Sequence, residues 1–264
     1  MRIHHAELIC FSPTGTTRTV LEAVARGLDA PCSSLDLTLP AGPAQGAAAG
    51  LALIGVPVHA GRVPALAAAR LRAHVRGAGR PAVLVAVYGN RAFEDALLEL
   101  RDLAVELGFV PVAAAAFVGE HSFSTRECPV AQGRPDGTDR EQAHLFGREV
   151  RALLEGVSSL PELRPLEVPG NHPYRDGVQA AAISPETDAA ACVLCGECAR
   201  SCPSGAIVLR NDAVETDASL CLRCCACTRV CPAGARVMRH PRILEFGRIL
   251  ATQYAGRREP EFFL

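Results

Sequence analysis

The chain has 264 residues, of which 49% are hydrophobic and 21% charged, and a formal net charge of −1. Such a chain can bury a sizeable core, which excludes disorder as its default state. It has no basic run or stripe, which excludes nucleic acid as a main partner, and all 27 of its cationic side chains are Arg.

Taken in chain order, the first predicted strand covers 3–11 and passes through a Ser/Thr-rich turn into a helix over 15–29. A weaker strand at 32–37 comes next. Ala41 to Gly50 is a loop with no chemistry to read. Strands at 51–56, 81–88 and 110–118 then alternate with helices at 64–76, 92–107 and 137–156. Ala82-Val83-Leu84-Val85-Ala86-Val87 is apolar throughout, as in a parallel strand covered on both faces. Strand–helix alternation predicts a doubly wound α/β domain over 1–157. Pro161, Pro165, Pro169, Pro173 and Pro185 make 158–185 a proline-rich linker, extended and packed on the surface. A small two-fold-repeated domain is expected over 186–240, and a helix with a tail over 241–264.

The repeat is carried by cysteines. Cys192, Cys195, Cys198 and Cys202 precede Pro203; Cys221, Cys224, Cys227 and Cys231 precede Pro232. Each set reads Cys-x2-Cys-x2-Cys-x3-Cys-Pro, the second offset by 29 residues from the first. Soft thiolates on a tight loop suit iron in a sulfide cluster. Three sulfurs wrap one face of a cube, and the fourth cysteine, carried away before the proline, ligates the other cluster. One [4Fe–4S] cluster is therefore expected on Cys192, Cys195, Cys198 and Cys231, and the other on Cys221, Cys224, Cys227 and Cys202. Zinc also takes Cys-x2-Cys pairs, but zinc sites separate their pairs by a longer loop and have no use for a Cys-Pro ending. Gly196 allows close approach of the backbone to a cluster. Cys225 stands at the wrong phase for a ligand and reads as a buried small residue. Cys10 and Cys32 read as core thiols, and Cys128 lies in a loop.

After the first strand, Phe11-Ser12-Pro13-Thr14-Gly15-Thr16-Thr17-Arg18 sets hydroxyls and free N–H groups at a helix N-terminus, which makes an anion site. This loop resembles the FMN phosphate loop of flavodoxins, Ser/Thr-x-Thr-Gly-Asn/Thr-Thr. Two more segments leave the carboxyl ends of predicted strands, where open sheets bind ligands. They are Pro57-Val58-His59-Ala60-Gly61-Arg62 and Tyr88-Gly89-Asn90-Arg91. Together with Gly-Glu-His-Ser at 119–122 and Cys-Leu-Arg-Cys-Cys-Ala-Cys at 221–227, they make the chain resemble a fusion of a flavodoxin-like domain with a bacterial two-cluster ferredoxin. The resemblance implies a five-stranded flavodoxin-like parallel sheet and a small α+β ferredoxin-like domain. It implies that Ser12, Thr14, Gly15, Thr16 and Thr17 hold the FMN phosphate. It also implies that Pro57, Val58, His59, Ala60, Gly61, Arg62, Tyr88, Gly89, Asn90 and Arg91 hold the ring. Pro13 lacks an N–H, and the chain has no Trp to stack on the ring; Tyr88, His59 and Phe123 are the aromatic candidates. Arg62 is a candidate cation for the ring's N1 or O2. Glu120 is a candidate helix cap or acceptor from the flavin.

The function expected is electron transfer between FMN, two clusters and soluble redox partners that dock transiently. The alternative is a flavoenzyme that reduces a small substrate, with His59 and His121 as proton sources. No Gly-x-Gly-x-x-Gly nicotinamide fingerprint is visible. No apolar stretch approaches the roughly 20 residues of a membrane helix, and the first apolar run is unlike a signal peptide. A cytoplasmic protein follows as an expectation, its 12 cysteines being ligands and free thiols and not a disulfide framework.

Overall fold

A computed structural model describes residues 1–40, 50–177 and 182–264; the expected loop at 41–50 lies, apart from Gly50, outside the described residues. Five strands alternate with helices: β1 (Ala6–Cys10), α1 (Thr16–Leu28), β2 (Cys32–Asp36), β3 (Leu51–Pro57), α2 (Ala65–His74), β4 (Pro81–Tyr88), α3 (Ala96–Glu106), β5 (Val110–Val118) and α4 (Gly137–Glu155). They pair in parallel in the order β2-β1-β3-β4-β5. This is the flavodoxin-like doubly wound order, whose switch point lies between β1 and β3.

The pleat sorts the core onto two faces. On β4, Val83, Val85 and Val87 turn with Phe117 toward α1 and α4, where they meet Leu21, Val24, Phe146 and Val150. Ala82, Leu84, Ala86 and Tyr88 turn toward α2 and α3, where they meet Leu71, Leu97, Leu100 and Leu103. Helices α1 and α4 cross backbone to backbone at Gly27 and Gly147. A Cβ at Gly27 would collide with the His144 carbonyl, and one at Gly147 with that of Val24. β2 is an edge strand with its side chains largely exposed, so Cys32 is an exposed thiol and not the core thiol expected, whereas Cys10 is buried.

The sheet has a sixth strand. β10 (Glu261–Phe263) pairs antiparallel with β5, and Phe262 stacks on Phe146 with ring centroids 5.0 Å apart. The segment expected as a helix and tail thus returns, after α7 (Pro241–Gln253), to complete the sheet of the first domain. Arg134 holds this return: its buried guanidinium pairs with Asp139 and donates to the Arg258 carbonyl at 2.8 Å. The described part of the linker is strapped across α3. The backbone N–H groups of Asn171 and Arg175 donate to Asp95 at 2.9 and 2.7 Å, and Tyr174 donates to Asp102 at 2.5 Å.

The cysteine-rich unit is two interleaved antiparallel pairs. β6 (Glu186–Thr187) pairs with β9 (Arg236–Val237), and β7 (Ile207–Arg210) with β8 (Ala213–Thr216). Two short helices, α5 (Glu197–Arg200) and α6 (Ala226–Arg229), carry Cys198 and Cys227. The offset of 29 residues seen in the sequence is a structural pseudo-two-fold. Asp188 N–H donates to Ala235 O and its equivalent Asp217 N–H to Ala206 O, both at 2.8 Å.

Candidate functional site

The local fold explains how each cysteine loop presents its thiols. Leu194 and Gly196 in the first loop, and their equivalents Arg223 and Cys225 in the second, have positive φ. The chain coils tightly and turns successive sulfurs inward. Cys225 therefore fills the left-handed position that Gly196 fills in the other half, and caps α6 as Gly196 caps α5. It is buried, as expected from its phase.

Cys202, from the first motif, lines one pocket with Cys221, Cys224 and Cys227 of the second, and with Cys225 between them. This is the crossed set expected from the spacing. Among the described residues no three His, Cys, Asp or Glu side chains converge closely enough to share one metal ion; these thiols ring a space instead. Burial pushes Cys224 up to about 12, and the neighbouring thiols Cys227, Cys221 and Cys202 add to the rise. Burial also raises Cys221 and Cys227. As thiolates these groups need strong positive charge beside them, which iron supplies. Burial pushes the Cys231 thiol up as well, but the backbone N–H groups of Arg236, Ala235, Ala233 and Gly234 outweigh it and the net shift is downward. That of Ala235 lies 3.2 Å from the sulfur.

Equivalent residues of the two halves have different surroundings. Val193 is 66% exposed, whereas its equivalent Leu222 packs on the α2/α3 core. Pro232 is exposed, whereas Pro203 is buried and its carbonyl accepts from Arg70 at 2.6 Å. Arg200 is engaged within its own loop by Cys195 O and Glu197. Its equivalent Arg229 reaches Glu120 at 3.3 Å and the His121 carbonyl at 3.2 Å. The side holding Cys202, Cys221, Cys224 and Cys227 thus faces the carboxyl edge of the parallel sheet, and the side holding Cys192, Cys195 and Cys198 faces away.

At that edge, α1 begins without a side-chain cap, on Gly15 at φ 83°. Among the hydrogen bonds of the described residues, Thr16 N–H and Thr17 N–H have no acceptor, as first-turn donors lack intrahelical partners. Thr17 is fully buried and its hydroxyl also has no partner. Thr14 and Thr16 bring their hydroxyls to 3.4 Å from each other. These donors fit a phosphate. Ser12 shapes the loop: its N–H donates to the Thr38 hydroxyl at 2.8 Å, and its own hydroxyl accepts from Arg18 N–H at 3.1 Å while keeping its hydrogen to donate.

The two loops expected around a ring need several corrections. Arg62 forms a bidentate pair with Glu99 at 2.8 and 2.9 Å, donates to Arg175 O at 2.7 Å and lies 4.7 Å over the Tyr174 ring. It anchors the linker and is not the cation for the ring. The pleat turns Tyr88 into the core, edge-on to Phe93 at 5.5 Å. Asn90 donates to the carbonyls of Tyr254 and Gly256 at 2.6 and 2.9 Å, holding the C-terminal return. Arg91 forms a bidentate pair with Glu94, both contacts at 2.8 Å. Glu120 accepts from Gly133 N–H and pairs with Arg229; it docks the cysteine-rich unit. Phe123 packs edge-on to His121 at 5.0 Å and near Phe246 of α7 at 6.4 Å.

Pro57 ends β3 and Val58 N–H donates to Val87 O at 2.8 Å, while Ala60 and Gly61 form a tight turn closed by mutual hydrogen bonds between His59 and Arg62. His121 lies against Gly89, where an added Cβ would meet its ring, and is close enough to His59 to feel its charge. Burial, with Arg223 beside it, lowers His59 to about 4. Burial, with His59, Arg91 and Arg229 nearby, lowers His121 to about 4. Both rings are neutral at pH 7. The residues that the sequence reading missed are Arg70, Leu222 and Arg229, each of which acts through a partner far away in the chain.

Residues 191–235 match the family of 4Fe-4S dicluster domains, so the C-terminal unit is an iron–sulfur domain. No curated protein matches the chain. Among solved structures, a flavodoxin from the domain Archaea is 10% identical, covers 57% of this chain and 99% of its own, and has a TM-score of 0.38. Flavodoxin 1 from Bacillus cereus is 16% identical over 58% of this chain and 99% of its own, with a TM-score of 0.41. The flavodiiron core of Flv1 from Synechocystis is 14% identical over 59% of this chain and 37% of its own, also with a TM-score of 0.41. The fold is read from the strand order and not from these likenesses. No helix among the described residues is long and apolar enough to cross a membrane.

Proposed function

We propose that this chain is an electron carrier. In this reading it holds two [4Fe–4S] clusters on the C-terminal unit and FMN at the carboxyl edge of the sheet, and serves soluble redox partners. The observation that supports it most is the unequal setting of the two cysteine sets. The inner set, through Leu222, Pro203 and Arg229, is docked on the edge where the α1 N-terminus and Thr17 offer unpaired donors to a phosphate. The outer set keeps Cys195 exposed. When bound, the flavin exchanges one or two electrons and each cluster one. The chain's own contribution is to set the centres in a row, outer cluster, inner cluster and flavin, with the exposed end open to partners. Steering by net charge is slight, since residues 185–240 hold six Arg and six acidic side chains.

A flavoenzyme is the second reading. It needs a proton source beside the flavin, and His59 and His121 are held neutral. Steady-state kinetics separate the two: a carrier reduces protein partners only, whereas an enzyme saturates with one small substrate. The primary test is anaerobic purification with iron, sulfide and acid-released flavin assays. About eight irons, eight sulfides and one FMN per chain are expected for two four-iron clusters and one flavin. Eight irons without flavin would overturn the assignment of Thr14, Gly15, Thr16 and Thr17 to its phosphate.

A further inference from the structure

The pseudo-two-fold that relates the two cysteine motifs is broken at one buried position. In the first half Ile207 pairs with Thr216 across β7 and β8. In the second half the equivalent pair is Arg236 with Thr187, across β9 and β6. Ile207 is 5% exposed and Arg236 is 4% exposed, so a guanidinium occupies a place that an isoleucine fills adequately in the other copy. Arg236 donates to the Thr187 hydroxyl at 2.6 Å and directs a second nitrogen to the Cys227 sulfur at 3.8 Å. Its Nε is buried without a partner, as is the hydroxyl of Thr216, which faces isoleucine. The ion pairs around it join Arg200 to Glu197, Arg210 to Glu215 and Arg239 to Asp188; among the described residues Arg236 takes part in none.

Burying a cation with no carboxylate is costly unless some other negative charge faces it. The candidates on the page are thiolates. The nearest is that of Cys227, whose sulfur lies 3.8 Å from the guanidinium. A cluster with its four thiolates is net negative and becomes more so by one charge on reduction. A fixed, poorly screened cation beside it favours the reduced form.

We propose that Arg236 is a positioning and electrostatic residue that raises the reduction potential of the inner cluster, whose Cys227 it touches. The inference rests on the two-cluster reading above. That reading is checked first, by iron and sulfide content of the wild type, so that a chain without two clusters sinks the function and not this proposal.

The experiment is an anaerobic redox titration of the full chain followed by electron paramagnetic resonance. It compares wild type with Arg236→Ile, which copies the other half of the domain, and with Arg236→Lys, which keeps the charge. Arg236→Ile is expected to keep its iron and to shift the midpoint potential of the inner cluster to a more negative value. Arg236→Lys is expected to recover most of that shift. An unchanged inner-cluster potential in an iron-replete Arg236→Ile overturns the proposal, and so does an Arg236→Lys that shifts as far as Arg236→Ile. If Arg236→Ile does not retain iron, Arg236→Gln is judged by the same rule. Loss of iron in both neutral variants with retention in Arg236→Lys also supports a charge that acts on the clusters.

Discussion

Arg70, on α2, is the most informative residue to remove. Its guanidinium donates to Leu37 O at 2.9 Å, to Thr38 O at 2.6 Å and to Pro203 O at 2.6 Å, and lies 5.9 Å from the Phe11 ring. Thr38 in turn holds the Ser12 N–H of the phosphate loop, and Pro203 follows the inner ligand Cys202. One side chain therefore joins the loop to the cysteine-rich unit. Hydrogen bonds from a charged donor are worth about 1.5–3 kcal/mol each. Arg70 is only partly buried, so water replaces part of what is lost, and Arg70→Ala should cost about 2–4 kcal/mol in all. At about 2–4 °C per kcal/mol for a chain of this size, the anaerobic thermal midpoint should fall by about 4–16 °C. Stopped-flow reduction should show the flavin filling more slowly from pre-reduced clusters, because the inner set loses a fixed seat on the sheet edge. Arg70→Met, which keeps packing over Phe11, should match Arg70→Ala to within about 1 kcal/mol. A variant within about 0.5 kcal/mol of wild type, with unchanged flavin reduction, would show that the joint is not made by Arg70.

Gly27→Ala should force α1 and α4 apart, because its Cβ meets the His144 carbonyl; a loss of about 3 kcal/mol in urea unfolding is expected, and a neutral result would refute the close crossing. Both half-buried histidines have folded pKa values near 4, below the ordinary 6.5. The unfolded chain thus binds protons first, and stability is full above about pH 6.5 and falls as the pH drops toward 4. His121→Asn should flatten this slope between pH 7.5 and 5 in thermal scans, and equal slopes would refute it. Cys225→Gly, which copies Gly196, should retain all the iron, because Cys225 caps α6 and ligates nothing; loss of half the iron would make it a ligand.

The parallel sheet was legible because the β3, β4 and β5 segments are apolar on both faces, which few other structures require. The nearness of Cys202 to Cys221, Cys224 and Cys227 was expected from the spacing, since the chain leaves each loop before the proline. Tyr88 could have been placed by the pleat, since it shares the parity of Ala82, Leu84 and Ala86, which face the core under α2 and α3. Proximity to the strand end drew it to the ring instead. Arg62 and Asn90 were not legible, because Glu99, Arg175, Tyr254 and Gly256 come to them only through tertiary packing. β10, with three residues, is shorter than any window in which an alternation can be recognised. The repeat was visible, but what set its halves apart was invisible until the first domain was seen against one of them.

The return of β10 to the sheet gives the iron–sulfur unit the topology of an insertion. The chain leaves the α/β layer after α4 and re-enters it at Glu261, so the unit hangs between two covalent tethers, each pinned: the linker at Asp95 and Asp102, the return at Asn90 and Arg134. A break in either tether leaves the other attached, and the local concentration of one unit beside the other stays high. Tethered and pinned on both sides, the two units are expected to lose order together in a thermal scan, as one cooperative body and not as beads on a string.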